Sequence, residues 1–151
     1  MYQVKDFMTE DPVCCLPSTS LKVVAKLMLQ YDCGEIPVVF SIDQPRIVGV
    51  ITDRDIVCRS LAHALNPLDM TAEEVMTVPA IVVSEEMDIE DCTTIMKEEQ
   101  IRRIPVIDAD ENCCGMISLA DIARKFEPNI AAEMIKDISR PSHYNSPMEV
   151  S

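Results

Sequence analysis

The chain of 151 residues is poor in the residue types on which several classes of protein depend. It has no tryptophan, two histidines that stand alone, and only 13 basic residues against 26 acidic ones. The resulting net charge of −13 repels phosphate backbones, so we expect no nucleic-acid binding. Anionic membrane surfaces are disfavoured for the same reason. With so few histidines, no metal site is predicted.

Long apolar runs are also absent. No stretch approaches the roughly 18 apolar residues that a membrane span requires. Residues 1–8 lack the basic start and the apolar core of a signal peptide. We therefore expect a cytoplasmic protein that does not bind membranes.

The seven cysteines show no C-x-x-C spacing, but two pairs are adjacent in sequence, Cys14-Cys15 and Cys113-Cys114. Neighbouring residues on a strand point to opposite faces, so such a pair is a poor chelate and would form a strained disulfide. We interpret the cysteines as small buried hydrophobes in a reducing compartment. Because no nucleophile is paired with a base, the protein is not expected to be an enzyme.

The chain does contain an internal repeat, whose two copies lie about 68 positions apart. Three segments recur in the same order: Met8-Thr9 and Met76-Thr77, Ile36–Val38 and Ile104–Val106, and Gly49–Ile56 and Gly115–Ile122. A unit of about 60 residues buries only about 60% of its surface and is marginally stable alone. We therefore expect the two copies to share one core.

The repeat divides the chain into five parts: repeat 1 at 4–65, a linker at 66–71, repeat 2 at 72–126, a C-terminal helix at 128–139 and a flexible tail at 140–151. The C-terminal helix has no counterpart at the end of repeat 1. It can dock on the domain itself or on a partner chain. The tail is polar and interrupted by proline, which is typical of a flexible terminus.

Each repeat is predicted to contain a short helical turn, a strand, a helix, two strands and a second helix, which indicates an α+β fold. Strands are predicted at 13–15, 36–40, 47–51, 80–83, 104–107 and 113–117. Ser20 and Asp88 are good N-cap residues for the first helix of each repeat. Gly34 is predicted to end the first helix of repeat 1.

The segments Gly49–Asp55 and Gly115–Asp121 share the pattern Gly-apolar-apolar-Thr/Ser-x-x-Asp, at a junction of strand and helix. A hydroxyl and a carboxylate at this spacing form a capping box, which satisfies N–H groups at a helix start. The same groups can serve a nucleotide, since a helix start favours phosphate and an acid accepts hydrogen bonds from ribose. The glycine would let the backbone approach such a ligand closely. Both interpretations stay open on the motif alone.

Taken together and in this order, these segments resemble CBS domains, named for cystathionine β-synthase, and the tandem resembles a Bateman module. The resemblance covers residues 4 to about 126. It implies β-α-β-β-α units packed about a pseudo-two-fold axis through their sheets. It also implies two clefts between the repeats that bind adenosine-containing ligands such as AMP, ADP, ATP or S-adenosylmethionine. A homodimer is expected, which requires no cofactor and signals ligand occupancy to a regulated protein that the sequence does not identify.

The resemblance also assigns roles to residues. Asp55 and Asp121 would bind ribose, and Thr52 and Ser118 would bind phosphate. The base would be flanked by residues of the Ile-Pro segments and of the first strands, namely Ile36, Pro37, Ile104, Pro105, Val13 and Ile81.

The copies differ just before Ile-Pro, where repeat 1 has Gly34-Glu35 and repeat 2 has Arg102-Arg103. If these positions border the clefts, the arginines suit phosphate through their planar donor fork. A cation at a helix end also complements the helix dipole, so a purely structural role stays open. Arg54, within the first motif, is a further phosphate candidate.

These differences predict that Asp121 contributes more to ligand binding than Asp55 does. The alternative is a structural dimerisation module with vestigial ligand clefts. In that case the hydroxyls and carboxylates of the two motifs would be helix caps only.

Overall fold

The computed structural model describes residues 2–125 and 128–139. The predicted flexible tail at 140–151 lies outside these residues. The elements are β1 (Thr9–Glu10), α1 (Leu21–Tyr31), β2 (Glu35–Val39), β3 (Ile47–Thr52), α2 (Asp53–Arg59), α3 (Ala72–Val75), β4 (Val83–Ser84), α4 (Ile89–Glu99), β5 (Arg103–Ile107), β6 (Cys113–Ser118), α5 (Leu119–Ala123) and α6 (Pro128–Ile138). Short 3₁₀ turns lie at Val4–Asp6, Leu61–His63 and Pro67–Asp69.

The two predicted hairpins are confirmed, and they share one register. Ile36 of β2 faces Ile51 of β3, and Ile104 of β5 faces Ile117 of β6. Each pair of strands is antiparallel. Its register shifts once, between Val38 and Val39 in repeat 1 and between Val106 and Ile107 in repeat 2. The tandem α+β architecture predicted from the repeats is therefore confirmed.

Both predicted N-caps are confirmed, but the predicted end of α1 is wrong. Ser20 accepts a hydrogen bond from the Val23 N–H at 3.2 Å, and Asp88 accepts one from the Glu90 N–H at 2.9 Å. The residue after α1 is Asp32, which adopts a left-handed conformation with φ of 50°. Aspartate tolerates this region because its short polar side chain can hydrogen-bond locally. Gly34 instead accepts a hydrogen bond from the Asp53 N–H at 3.0 Å, which ties the start of α2 to β2.

The opening segments of the two repeats are exchanged. β1 pairs with β6 of the other repeat, in a sheet of order β1-β6-β5-β4, and Thr77 of repeat 2 bridges to Val50 of repeat 1. The strand predicted at 13–15 is reduced to a single parallel bridge from Cys15 to Val38, and the one predicted at 80–83 shrinks to β4. The stretch before each first helix therefore pairs first with the other repeat and only afterwards, at Cys15 or in β4, with its own repeat.

The two motif glycines make this exchange possible. A Cβ added to Gly49 would lie 2.9 Å from the carbonyl oxygen of Thr77, and one added to Gly115 would lie 3.0 Å from that of Thr9. These distances are too short for a side chain. The expected close approach is therefore made by the opening segment of the other repeat, not by a ligand.

The buried side chains form two hydrophobic clusters, so the prediction of one shared core is wrong. The first cluster contains Leu21 and Ile36 of repeat 1 together with Val75 of α3, and the second contains Ile104 of repeat 2 together with Val4. Each cluster thus lies under the sheet of one repeat and includes the opening turn of the other. This exchange, rather than a common core, joins two units that are each too small to be stable alone.

The C-terminal helix α6 docks on repeat 2, which decides between the two possibilities left open by the sequence. Its Asp137 pairs with Lys97 at 3.2 Å, and Ile138 is buried in the second cluster. The Gln100 side chain donates to the Asp137 carbonyl oxygen at 3.1 Å. None of the helices in the described ranges has the length and apolar character needed to cross a bilayer.

Candidate functional site

Two clefts lie where the repeats meet, and each combines the opening segment of one repeat with the capping box of the other. The first, which we call the Asp121 cleft, has a volume of about 300 Å³. It is lined by Thr9, Asp11, Pro12, Val13, Tyr31, Cys33, Glu35, Arg103, Met116, Ile117, Ser118 and Asp121. This volume lies at the lower end of the range for small-molecule sites, roughly 300–1,000 Å³.

The second, which we call the Asp55 cleft, has a volume of about 200 Å³. It is lined by Glu35, Val50, Thr52, Asp55, Thr77, Pro79, Ile81, Ile101, Arg103 and Pro105. Most of these residues are the repeat counterparts of those in the first cleft. The two sites are therefore related by the internal repeat but differ in size.

Both capping boxes are formed, as the motif predicted. The Asp55 N–H donates to Thr52 Oγ1 at 3.0 Å, and the Thr52 N–H donates back to Asp55 Oδ2 at 3.0 Å. The corresponding distances between Ser118 and Asp121 are 3.0 and 3.1 Å. In both boxes the hydroxyl oxygen accepts from the backbone, so its own proton remains available for a ligand.

The carboxylate of Asp55 is held by groups beyond its capping box. The Thr77 hydroxyl donates to Oδ2 at 3.3 Å, and Arg59 Nε lies 3.8 Å from Oδ1. Arg59 is itself anchored, because it donates to the carbonyl oxygen of Met76 at 2.9 Å. The Asp55 side chain is only 3% exposed. A ribose hydroxyl would have to displace these contacts before it could bind.

Asp121 is more accessible. Its side chain is 19% exposed, and its Oδ1 lies 3.5 Å from an Arg124 side chain that is largely in solvent. In the described part of the chain, Thr9 makes no bond to Asp121 that would match the Thr77–Asp55 bond. The partner of this carboxylate outside the capping box is therefore an exposed arginine, so a hydroxyl donor meets less obstruction at Asp121 than at the buried Asp55.

Glu35 and Arg103 occupy equivalent positions and border both clefts. Glu35 faces Thr52 across its hairpin, and Arg103 faces Ser118 across the other. A Cβ added to Gly34 would lie 3.5 Å from Arg103 Nη1, so this guanidinium reaches across to repeat 1. The acid and the base thus lie between the two sites rather than in one cleft each.

Burial raises the pKa of Glu35 from its usual 4.5 to about 7, with a smaller contribution from the negative charge of Asp55. The nearby Arg103 opposes this shift in pKa. Within the described residues, Glu35 Oε2 is buried without a hydrogen-bond partner. A buried acceptor in this state favours a ligand that can donate a hydrogen bond, because an unsatisfied polar group is costly.

Sequence reasoning missed several residues that line the Asp121 cleft. Tyr31 is 56% exposed and lines this cleft, where its ring offers a flat aromatic surface. Thr9 and Thr77 also line the clefts, and the repeated Met-Thr pairs were a signal that could have pointed to them. Glu35 was noted only as a difference between the copies.

The residues predicted to bind ligand separate into three groups. Eight line a cleft: Thr52, Asp55, Ile81, Pro105, Ser118, Asp121, Val13 and Arg103. Three are buried in strands: Ile36, Pro37 and Ile104. Neither cleft, as the described residues line it, includes the remaining two, Arg54 and Arg102. Arg102 instead donates to the hydroxyl of Ser139 at 3.2 Å, beside α6. The ligand roles of all these residues stay predictions.

The exchanged repeats and the paired clefts define a class of protein, and comparison with family models agrees. The model for the CBS domain matches residues 4–61 and again 72–127. The chain belongs to the CBS-domain family and carries a tandem pair of these domains. Such pairs are generally regulatory modules that bind ligands and have no catalytic role.

Among known proteins, the chain is similar to hypoxic response protein 1 of Mycobacterium tuberculosis. The two are 32% identical over 141 residues, which is 93% of this chain and 96% of the relative. The crystal structure of that protein contains two coordinated zinc ions and matches with a TM-score of 0.75, over 83% of this chain and all of the other. Within the described ranges of the present chain, no three side chains of His, Cys, Asp or Glu converge as metal ligands would.

Two similar structures contain adenosine ligands. CBSX2 from Arabidopsis thaliana, solved with AMP, is 27% identical and matches with a TM-score of 0.71 over 90% of this chain and 99% of that one. The CBS domain pair of protein MJ0100, solved with 5′-methylthioadenosine and S-adenosylmethionine, is 26% identical. It matches with a TM-score of 0.71 over 82% of this chain and 94% of that one.

Proposed function

We propose that this protein is a regulatory module that binds an adenosine-containing ligand in the Asp121 cleft and transmits its presence to a partner protein. The observation that carries the proposal is the accessible Asp121 carboxylate at a cleft of about 300 Å³. Ser118 lies beside it with a hydroxyl proton to donate, and Tyr31 supplies an aromatic surface. Asp121 would accept hydrogen bonds from the ribose, Ser118 would donate to a polar group attached to the ribose, and Tyr31 would stack on the base.

The charged residues that line the Asp121 cleft favour some adenosine-containing ligands over others. The Asp121 cleft contains three acidic residues, Asp11, Glu35 and Asp121, and one base, Arg103. A triphosphate would meet more repulsion than attraction there. The preferred ligand is therefore an adenosine derivative that carries less negative charge than ATP, such as S-adenosylmethionine, 5′-methylthioadenosine or AMP.

Isothermal titration calorimetry on protein freed of bound nucleotide tests both statements. We expect heat and a thermal shift with S-adenosylmethionine, 5′-methylthioadenosine or AMP, and weaker binding of ATP. The Asp121→Asn variant keeps the size of the side chain but loses the charge, and it serves as the matched control. Absence of binding by all four compounds would refute the ligand-sensing function, and a preference for ATP would refute the charge argument.

One observation favours a second function for part of the molecule. Asp55 is already bonded to Thr77 and lies near Arg59, and the Asp55 cleft is the smaller of the two. This cleft fits a vestigial site whose residues stabilise the junction between the repeats. A binding stoichiometry of one ligand per chain would agree with a structural Asp55 cleft, whereas two would contradict it.

We also propose that the protein forms a homodimer through the helices of repeat 1. Leu29 on α1 is 84% exposed, and Val57 on α2 and Leu61 after it are also exposed. In repeat 2, α6 packs against the corresponding helices α4 and α5. Light scattering should give twice the chain mass, and the Leu29→Glu variant should shift the protein to monomer, whereas the surface control Lys22→Glu should not.

A further inference from the structure

Two thiols from different repeats meet beside the Asp121 cleft. β1 runs antiparallel to β6, with Glu10 opposite Gly115, so the chain that follows β1 passes alongside the start of β6. This path brings the Cys14 side chain next to that of Cys113. The two residues are about 100 positions apart in sequence, and each is adjacent to a second cysteine, Cys15 or Cys114.

The other members of those adjacent pairs point elsewhere. Cys15 is buried in the cluster of repeat 1, and its N–H donates to the Pro37 carbonyl oxygen. Cys114 packs against the cluster of repeat 2, and its thiol donates to the Val106 carbonyl oxygen at 3.5 Å. Cys14 and Cys113 are therefore the partners that the backbone selects, since alternate residues of an extended chain face opposite sides.

Both thiols are free and partly accessible, and both segments make hydrogen bonds. The Cys113 N–H donates to the Pro45 carbonyl oxygen of repeat 1 at 2.8 Å, and the Cys14 thiol lies 3.4 Å from the Pro12 carbonyl oxygen. The prediction that the cysteines are buried is confirmed for Cys15 and Cys92, but it is wrong for these two.

The surroundings also set which thiol would react first. The neighbouring Cys113 side chain lowers the pKa of Cys14, whereas the Cys14 side chain and burial raise the pKa of Cys113. Burial raises the pKa of Cys15 to about 12 and that of Cys114 to about 11. Because the thiolate is the reactive form, Cys14 is the favoured nucleophile of the group.

We propose that Cys14 and Cys113 are a site of reversible disulfide formation that covalently joins the two repeats. With a small-molecule disulfide as oxidant, the Cys14 thiolate attacks one of its sulfurs, forms a mixed disulfide and releases one thiolate. Cys113 then loses its proton and attacks Cys14 Sγ, which releases the second thiolate. The two protein thiols are oxidised, the small disulfide is reduced to two thiols, and the protons from the protein end on them.

The bridge would have a structural effect that does not depend on any ligand. Pro12 and Val13, which directly precede Cys14, line the Asp121 cleft. A disulfide would fix this wall to β6 and close a loop of about 100 residues, which restricts the unfolded chain strongly. Oxidation should therefore raise the melting temperature by on the order of 10 °C.

The test treats the reduced full-length chain with oxidised glutathione, alkylates the remaining thiols and maps peptides without reduction. We expect a peptide pair joined through Cys14 and Cys113, the loss of two alkylation sites, and reversal by dithiothreitol. Single peptides with a disulfide within Cys14-Cys15 or within Cys113-Cys114 would instead overturn the proposal, and so would glutathione adducts that never resolve.

Variants separate the two chemical steps. Cys113→Ser should retain a stable glutathione adduct on Cys14, because no thiol remains to displace it. Cys14→Ser should lose the bridge. Its Cys113 should react with oxidised glutathione at least several-fold more slowly than Cys14 does in the unchanged protein. Cys58→Ser, which changes another partly buried thiol, should form the bridge as the unchanged protein does. Equal adduct formation at Cys14 and Cys58 in the unchanged protein would show that Cys14 has no special reactivity and would refute the mechanism.

Discussion

In the Asp55 cleft the carboxylate accepts from Thr77 at 3.3 Å and lies 3.8 Å from Arg59, whereas the Asp121 carboxylate has an exposed arginine at 3.5 Å as its partner outside the capping box. The hydroxyl–carboxylate motif is the same in both. The same motif therefore has two different surroundings within one molecule. In the Asp55 cleft its carboxylate is buried and engaged at the junction of the repeats, and in the Asp121 cleft its carboxylate is accessible.

The largest difference should appear in stability. Asp55→Ala removes a buried acceptor and leaves Thr77 and Arg59 without it, so we expect the free energy of unfolding to fall by about 3 kcal/mol. Asp121→Ala removes an accessible cap and should cost about 1 kcal/mol. Urea unfolding of both variants measures the difference, and equal losses would show that the two carboxylates have the same structural role.

Ligand affinity should show the opposite order. Asp121→Ala should weaken binding of AMP or S-adenosylmethionine about 30-fold, which corresponds to about 2 kcal/mol for a lost hydrogen bond to a charged group. Asp55→Ala should change affinity about threefold at most, when measured at a temperature where the variant is folded. A larger loss for Asp55→Ala would place the ligand in the other cleft.

Glu35, which borders both clefts, should make the stability of the protein depend on pH. Its pKa in the folded protein, about 7, lies above the usual 4.5, so folding favours the protonated form. Stability is then full below about pH 4.5, falls as the pH rises through the interval up to 7, and stays lower above it.

Glu35→Gln removes this ionisation. Above pH 7.5 the variant should therefore be more stable than the unchanged protein by on the order of 2 kcal/mol, and near pH 4 the two should be alike. Thermal unfolding across this pH range measures both curves. A constant difference at every pH would show that Glu35 does not titrate in this interval.

The smallest expected effect concerns the hydroxyl groups of the two capping boxes. Thr52→Ala and Ser118→Ala each remove an N-cap acceptor and should lower stability by about 1 kcal/mol. Only Ser118→Ala should also weaken ligand binding, because Thr52 belongs to the cleft whose carboxylate is already engaged. Chemical denaturation and calorimetry on the same samples separate the two contributions, and loss of affinity in both variants would contradict a vestigial Asp55 cleft.

Much of the fold could be predicted because it depends on local chemistry. The hairpins follow from short apolar runs joined by polar turns, and the N-caps at Ser20 and Asp88 follow from short polar side chains at helix starts. The two capping boxes could be read directly from the spacing of hydroxyl and carboxylate. These features depend on residues within a few positions of one another.

The rest depends on contacts that are distant in sequence. The pairing of Thr9 with Met116 has no local signal, so a strand was predicted at 13–15 instead. The same exchange buries Asp55 under Thr77 and brings Cys14 to Cys113. The sequence indicated which residues could bind a ligand, but only the tertiary arrangement distinguishes an engaged carboxylate from an open one.

The exchange of opening segments also bears on how such a chain could have arisen. A single repeat cannot build either cleft by itself, since each cleft needs the opening of one copy and the carboxylate of the other. Two separate copies of one ancestral repeat could have built both clefts by pairing, but symmetry would have made those clefts identical. In one chain that constraint is absent, so position 35 can be an acid while position 103 is an arginine. The difference between the two clefts is thus a consequence of the covalent link between the copies.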